Sequence, residues 1–161
     1  ARRKDAARRP PNPQAMLLDH WKQVFDYVRL TYRGPLAIGG KSMGGRMASL
    51  LADELGADAL ICLGYPFYAV RTPDKPRIAH LASLQTPTLI IQGERDALGN
   101  RMAVEAYQLS SAIHLYWLAT ADHDLKPLKS SGKSHEQYLD ETAEAIAGFL
   151  QAKVAGKRGT A

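Results

Sequence analysis

A serine flanked by glycines follows a short apolar run and is the residue best placed to do chemistry. Segment 36–45 reads LAIGGKSMGG, so Ser42 lies at the centre of a Gly-x-Ser-x-Gly pattern. In this pattern a strand breaks sharply into a helix and holds the serine out at the tip as a nucleophile. We expect glycine to be required at Gly40 and Gly44, because the turn brings the backbone on either side of a strained Ser42 into close contact.

Two other interpretations of this segment compete with that of a nucleophile. A phosphate-binding loop would need a glycine five residues before Gly40, where Pro35 stands instead. No apolar run ends directly in an aspartate that could hold Mg²⁺ either, so the register disfavours a nucleotide site. The second alternative is a glycine-rich turn with a surface serine, and the motif alone leaves it open.

A serine hydroxyl needs a base, and His123 is the histidine best placed to serve. Of the five histidines, it is the one that follows the last predicted strand in a loop. Imidazole can accept the serine proton near neutral pH and return it to a leaving group. The alternative is a surface histidine without a chemical role.

An acid must fix the imidazole tautomer and stabilise the imidazolium, and we predict that Asp96 does so. Asp96 follows the third predicted strand. Glu94, Asp122 and Asp124 compete for the role, although the two aspartates that flank His123 are poorly placed to reach back to its ring. The alternative role for Asp96 is that of a loop-capping carboxylate.

Other residues are expected to stabilise or enclose a substrate. The backbone N–H of Met43 is predicted to donate to an oxyanion. The loop after the second strand carries Tyr65, Phe67 and Tyr68, which could line an acyl pocket, although packing of a proline-rich loop explains them equally well. For Arg46, a solvated or structural ion-pair role is favoured over catalysis. We expect no metal and no cofactor.

The elements that must position these side chains alternate between strands and helices. Three- and four-residue spacing of apolar side chains, together with cap signals, predicts helices over about 14–32, 43–55, 78–84, 101–109 and 135–151. Short apolar runs predict strands at 36–39, 59–63, 88–92 and 113–118. This order indicates an α/β fold, in which helices cover both faces of a mostly parallel sheet to give three α/β/α layers. The predicted nucleophile, acid and base then follow the carboxyl ends of the first, third and fourth strands, in the chain order of an α/β hydrolase.

Composition and charge indicate one soluble globular domain with two basic ends. The chain has 161 residues and a net charge of +5. A basic arm (1–13) carries +4 and a basic tail (152–161) carries +3, so the predicted α/β-hydrolase-like domain at 14–151 is slightly acidic. No specific nucleic-acid pattern and no membrane-spanning run are found. A lone cysteine at Cys62 fits a reducing compartment, so we expect a cytoplasmic protein.

The wording of three motifs resembles a known superfamily. These motifs are GGKSMGGR at 39–46, GYPF at 64–67 and DHDLKP at 122–127. Over about residues 10–150 they resemble the α/β hydrolases, and in particular the dienelactone-hydrolase-like branch that includes domains of testis-expressed protein 30 and NSL-complex subunit 3. By this resemblance Ser42, Asp96 and His123 match the positions of a catalytic triad. Dienelactone hydrolases proper use a cysteine as nucleophile, so the serine at position 42 departs from their pattern.

The resemblance implies a serine hydrolase that acts on a small carboxylic ester or thioester through an acyl-enzyme intermediate. The alternative is a hydrolase-like protein-interaction module without turnover. Members of the family begin with further strands and a glycine-rich loop that donates a second oxyanion amide, whereas no such segment precedes the first predicted helix. We therefore expect an N-terminally incomplete fold in which the strand before Ser42 is an open edge. Such a chain would be weakly active or would self-associate as a homo-oligomer.

Overall fold

A computed structural model describes residues 13–155, and side chains as far as residue 153. Most of the predicted basic arm and tail, residues 1–12 and 156–161, lies outside the described residues. The strands are β1 (Ala37–Lys41), β2 (Ala59–Leu63), β3 (Thr88–Gly93) and β4 (Ile113–Leu118). The α-helices are α1 (Gln14–Thr31), α2 (Met43–Leu55), α3 (Arg101–Glu105) and α4 (His135–Ala155).

The four strands form one parallel sheet in the order β1-β2-β3-β4. The register pairs Gly40 with Cys62, and Cys62 with Ile90. Every residue of β3 is buried, which explains why its sequence is a continuous apolar run rather than an alternating one. The structure thus confirms the predicted α/β fold with a parallel sheet.

Alternate side chains of the inner strands enter two separate cores. Leu60 and Ile90 belong to a core that includes residues of α1 and α2, whereas Ile91 belongs to a second core beneath α4. Tyr138 is the buried anchor of α4 in that second core. The sheet therefore lies between two helical layers. No helix of residues 13–155 combines the length and the apolar character needed to cross a membrane.

The predicted helix at 101–109 is shorter than expected, because α3 ends at Glu105. After it, the Ser110 hydroxyl donates to the Leu84 carbonyl at 2.5 Å and the Ser110 amide donates to Leu81 at 2.9 Å. These bonds fix the chain out of helical register before β4. The predicted helix at 78–84 is a 3-10 turn at Ala79–Ala82.

One edge of the sheet is formed by β1, which pairs only with β2 among the described residues. Neighbouring α1 exposes several large apolar side chains: Met16, Val24, Tyr27, Val28 and Leu30. The unpaired edge of β1 therefore lies beside a helix with several exposed apolar side chains.

Candidate active site

Ser42 occupies the sharp turn between β1 and α2. Its φ of 52° and ψ of −122° lie outside the regions that non-glycine residues normally adopt, as the motif predicts. A Cβ at Gly40 would lie 2.7 Å from the Gly44 carbonyl carbon, so glycine is required there. The expectation for Gly44 is wrong: a Cβ there would meet nothing within 4 Å. The second close approach is made by Gly45, whose Cβ would lie 2.6 Å from the Gly40 oxygen.

The structure brings Ser42, His123 and Asp96 into one hydrogen-bonded series. His123 Nε2 lies 2.9 Å from Ser42 Oγ, and His123 Nδ1 lies 2.8 Å from Asp96 Oδ2. The carboxylate can only accept, so Nδ1–H donates to Asp96 and Nε2 is left to accept the serine proton. This is the arrangement that base-assisted attack by a hydroxyl requires.

Two glycines make room for the loop that carries His123. A Cβ at Gly64, which follows β2 with φ of 61°, would lie 2.7 Å from the His123 carbonyl oxygen. A Cβ at Gly93, the last residue of β3, would lie 2.3 Å from the backbone carbonyl oxygen of Asp122. The Asp122 carboxylate accepts hydrogen bonds from the amides of Asp124 and Lys126, which closes the turn. The loop can therefore pass directly over the ends of two neighbouring strands.

Asp96 is fully buried and is held by neighbours that the sequence did not suggest. The amide nitrogen of Gln92, also fully buried, donates to Asp96 Oδ2 at 3.0 Å. The backbone amide of Leu98 donates to Asp96 Oδ1 at 2.8 Å. The signal for Gln92 was a polar side chain inside an otherwise apolar strand, which must find partners when buried.

The carboxylates that competed with Asp96 are bonded elsewhere. Glu94 accepts from Arg101 Nη1 at 2.9 Å. Asp124 pairs with Lys41 on the exposed side of the elbow. Asp122 accepts amides of its own loop. None of these three bonds the imidazole, so Asp96 is the one of the four carboxylates that is hydrogen-bonded to His123.

The surroundings of His123 favour its protonated form. The hydrogen bond to Asp96 is the largest effect and raises the pKa of the imidazole above its ordinary value. Partial burial opposes this, the charges of Asp96 and Asp124 raise the pKa further, and Lys41 lowers it. The imidazolium that a proton transfer from Ser42 would create is thereby stabilised.

The amide of Met43 is the first of α2 and therefore has no intrahelical acceptor. It lies next to Ser42 at the positive end of the helix dipole, where a negative oxygen is stabilised. This position is compatible with the predicted donor role.

A cavity of about 300 Å³ opens beside the serine. It is lined by Ser42, Met43, Arg46, Pro66, Tyr68, Ala69, Val70, Arg77 and Leu98. Of the three aromatic residues expected there, Tyr68 contributes to the wall.

Tyr65 and Phe67 lie instead in the core, where both are fully buried. The Tyr65 hydroxyl lies 3.2 Å from Ser49 Oγ and 3.3 Å from His80 Nε2. The centroids of the Tyr65 and Phe67 rings are 4.8 Å apart. These two side chains are directed inward by packing and hydrogen bonding, so the packing alternative describes them and neither can line the cavity.

The fold and the elbow define an α/β hydrolase. The sequence profile described as alpha/beta hydrolase domain matches residues 1–151, and the chain therefore belongs to this family. No curated protein matches the sequence.

Solved structures share the fold at low sequence identity. An α/β serine hydrolase without a lid from Xanthomonas campestris superposes with a TM-score of 0.68 at 18% identity, covering 95% of this chain and 64% of its own. A serine hydrolase homologue from Coxiella burnetii gives 0.65 at 18% identity, covering 90% and 65%. An esterase domain from Rhodothermus marinus gives 0.60 at 15% identity, covering 81% and 66%. The chain thus spans slightly less than two thirds of the first two relatives.

Proposed function

We propose that the protein is a serine hydrolase that cleaves small carboxylic esters or thioesters. The observation that carries this proposal is the continuous hydrogen-bonded series from buried Asp96 through His123 to Ser42, at a strained elbow. A surface serine with no role in chemistry would not require a strained backbone, a glycine-lined approach for a histidine and a buried carboxylate.

The reaction follows from the atoms in place. As Ser42 Oγ attacks the carbonyl carbon, its proton passes to His123 Nε2, and the negative charge moves to the carbonyl oxygen near the Met43 amide. When the tetrahedral intermediate collapses, Nε2–H protonates the departing alcohol or thiol, which leaves an acyl ester on Oγ. Water then attacks this ester, gives its proton to Nε2, and releases the acid while Oγ regains its proton.

Asp96 acts on the imidazole and does not contact the substrate. It keeps Nδ1 protonated and stabilises the imidazolium formed in each half-reaction. Gln92 and the Leu98 amide hold this carboxylate in place. Their contribution is to position the acid rather than to contact the substrate.

The size of the cavity favours a small substrate. The 65–77 loop after β2 is short, and the cavity beside Ser42 holds about 300 Å³. Tyr68, Leu98 and Val70 give the cavity an apolar lining that suits a short acyl chain. The proposed membership of the dienelactone-hydrolase-like branch rests on the three sequence motifs.

Active-site labelling tests the proposal. A fluorophosphonate probe should form a covalent adduct with the native protein, detected as one mass increment, and Ser42→Ala should abolish it. Ser83→Ala, which removes an exposed serine away from the cavity, is the matched control and should still be labelled. Absence of labelling in the native protein would overturn the proposal and favour the hydrolase-like interaction module.

A further inference from the structure

Two arginines line the same cavity as the serine. Arg46 projects from the first turns of α2, and Arg77 comes from the loop after β2. The other cavity residues carry no charge. Arg46 is partly buried and Arg77 is exposed, so the cavity lining carries two positive charges.

Neither guanidinium is neutralised within residues 13–155. No carboxylate lies within 4.0 Å of Arg46 or Arg77 in that part of the chain. Arg46 Nε is buried without a hydrogen-bond partner there, and its Nη1 reaches Gln14 Oε1 only at 3.5 Å. A buried donor without an acceptor is destabilising, so a ligand that supplies one would be favoured. The structural ion-pair role expected for Arg46 is not found among the described residues.

Arg46 lies close to Ser42 along α2. Its amide donates to the Ser42 carbonyl at 3.1 Å, so the two residues lie one helical turn apart on the same side of α2. One turn corresponds to about 5.4 Å along the helix. Both residues also line the cavity, so a group bound beside Ser42 lies near the residue that carries this charge.

The positive charge of the arginines also affects the pKa of two neighbouring side chains. Burial is the main cause that lowers the pKa of His80, and Arg46 lowers it further. Burial raises the pKa of Tyr65 to about 12, and the charges of Arg46 and Arg77 partly oppose that rise. His80 and Tyr65 therefore stay neutral near pH 7 and supply no counter-charge.

We propose that the cavity selects esters whose acyl part ends in a carboxylate, that is, hemi-esters of short dicarboxylic acids. Arg46 and Arg77 bind the free carboxylate, for which the planar guanidinium offers paired N–H donors. The apolar wall formed by Pro66, Val70 and Leu98 covers the intervening methylene groups. This specificity rests on the proposed hydrolase function.

Two esters with the same acyl length and leaving group test the specificity. We expect kcat/KM for the 4-nitrophenyl hemi-ester of glutaric acid to exceed that for 4-nitrophenyl pentanoate by about tenfold or more. Arg77→Gln and Arg46→Gln should bring this ratio towards one, mainly by raising KM for the charged ester. Arg46→Lys, which keeps the charge but not the planar fork, should give an intermediate ratio. Arg71→Gln is the matched control, since Arg71 lies in the same loop outside the cavity, and it should preserve the ratio.

Binding without turnover separates the specificity from the hydrolysis. Monomethyl glutarate should bind the Ser42→Ala protein in calorimetry, and adding Arg77→Gln should weaken this binding by about tenfold. Binding that depends on Arg77, with neither ester hydrolysed by the native protein, would refute the hydrolysis and leave the anion site standing. A native ratio of one or less, or a ratio unchanged in all three variants of Arg46 and Arg77, would overturn the specificity.

Discussion

At the residue scale, the site depends on one imidazole whose two nitrogens have different partners. His123 donates through Nδ1 to buried Asp96 and faces Ser42 through Nε2. The carboxylate fixes the direction of both hydrogen bonds of His123, because it can accept a hydrogen bond but cannot donate one. The Gln92 side chain holds the acid in place. Its amide nitrogen donates to Asp96, and its amide oxygen accepts from the Tyr65 backbone N–H.

The pH dependence of hydrolysis should report this imidazole. The pKa of His123 is raised, chiefly by the hydrogen bond to Asp96. A base must be neutral to accept a proton, so kcat/KM should fall as the pH drops through a value above the ordinary histidine pKa of about 6.5. Measurement of kcat/KM between pH 5 and 9 would show this limb, and a limb well below pH 6.5 would contradict the prediction.

Asp124→Asn provides a directional check on the same pH profile. The Asp124 charge raises the pKa of His123, whereas Lys41, its present partner, lowers that pKa. Removing the carboxylate takes away the first effect and leaves the second unopposed, so the acid limb should move to lower pH. Both groups are exposed, so the shift should be small and should shrink at high salt. A shift to higher pH would argue against this electrostatic account.

At the element scale, the junction between β1 and α2 explains why glycines surround the serine. The strand end and the first helical turn touch through Gly40 and Gly45. Gly44 points away from the strand, with open space around its Cβ direction. The motif letters alone could not assign the contact, since adjacent helical positions point about 100° apart.

Paired substitutions in this turn should have opposite effects on stability. Gly44→Ala should raise the free energy of unfolding by up to about 1 kcal/mol, because alanine is the better helix former and nothing obstructs its methyl group. Gly45→Ala should lower it, because the new methyl would lie 2.6 Å from the Gly40 oxygen. Urea unfolding of both variants measures the difference, and equal effects of the two changes would contradict the packing described for the elbow.

At the scale of the whole molecule, the sheet is protected unevenly. β3 is covered on both faces, whereas β1 has an unpaired edge in the described part of the chain, next to the exposed apolar side of α1. Backbone groups on such an edge can pair with a second copy of the same strand. The expected self-association thus has a specific location, and it remains a prediction.

A charge on this edge should oppose self-association. Ala37 is exposed at the start of β1, and Ala37→Lys should reduce any dimer detected by light scattering across a range of protein concentrations. Ala143→Lys adds the same charge at an exposed position of α4 and is the matched control. A native chain that stays monomeric at all concentrations would refute the prediction.

Much of the fold followed from the sequence because its signals are local. Apolar runs and three- or four-residue spacing located all four strands and the long helices to within a few residues. The positions of Ser42, Asp96 and His123 after the first, third and fourth strands predicted that they meet at the carboxyl end of the sheet. The end of α3 was missed, since the bonds of Ser110 that terminate the segment are made to residues distant in sequence.

The sequence by itself determined the class of fold and the elbow, and it predicted Ser42, Asp96 and His123 as nucleophile, acid and base, because these inferences depend on residue type and chain order. The tertiary structure alone decided which side chains meet across the chain. It buried Tyr65 and Phe67, joined Gln92 to Asp96, and brought Arg46 and Arg77 to one cavity wall. The physical reason is that side-chain direction and long-range packing depend on how separate elements are arranged in space, which local spacing does not encode.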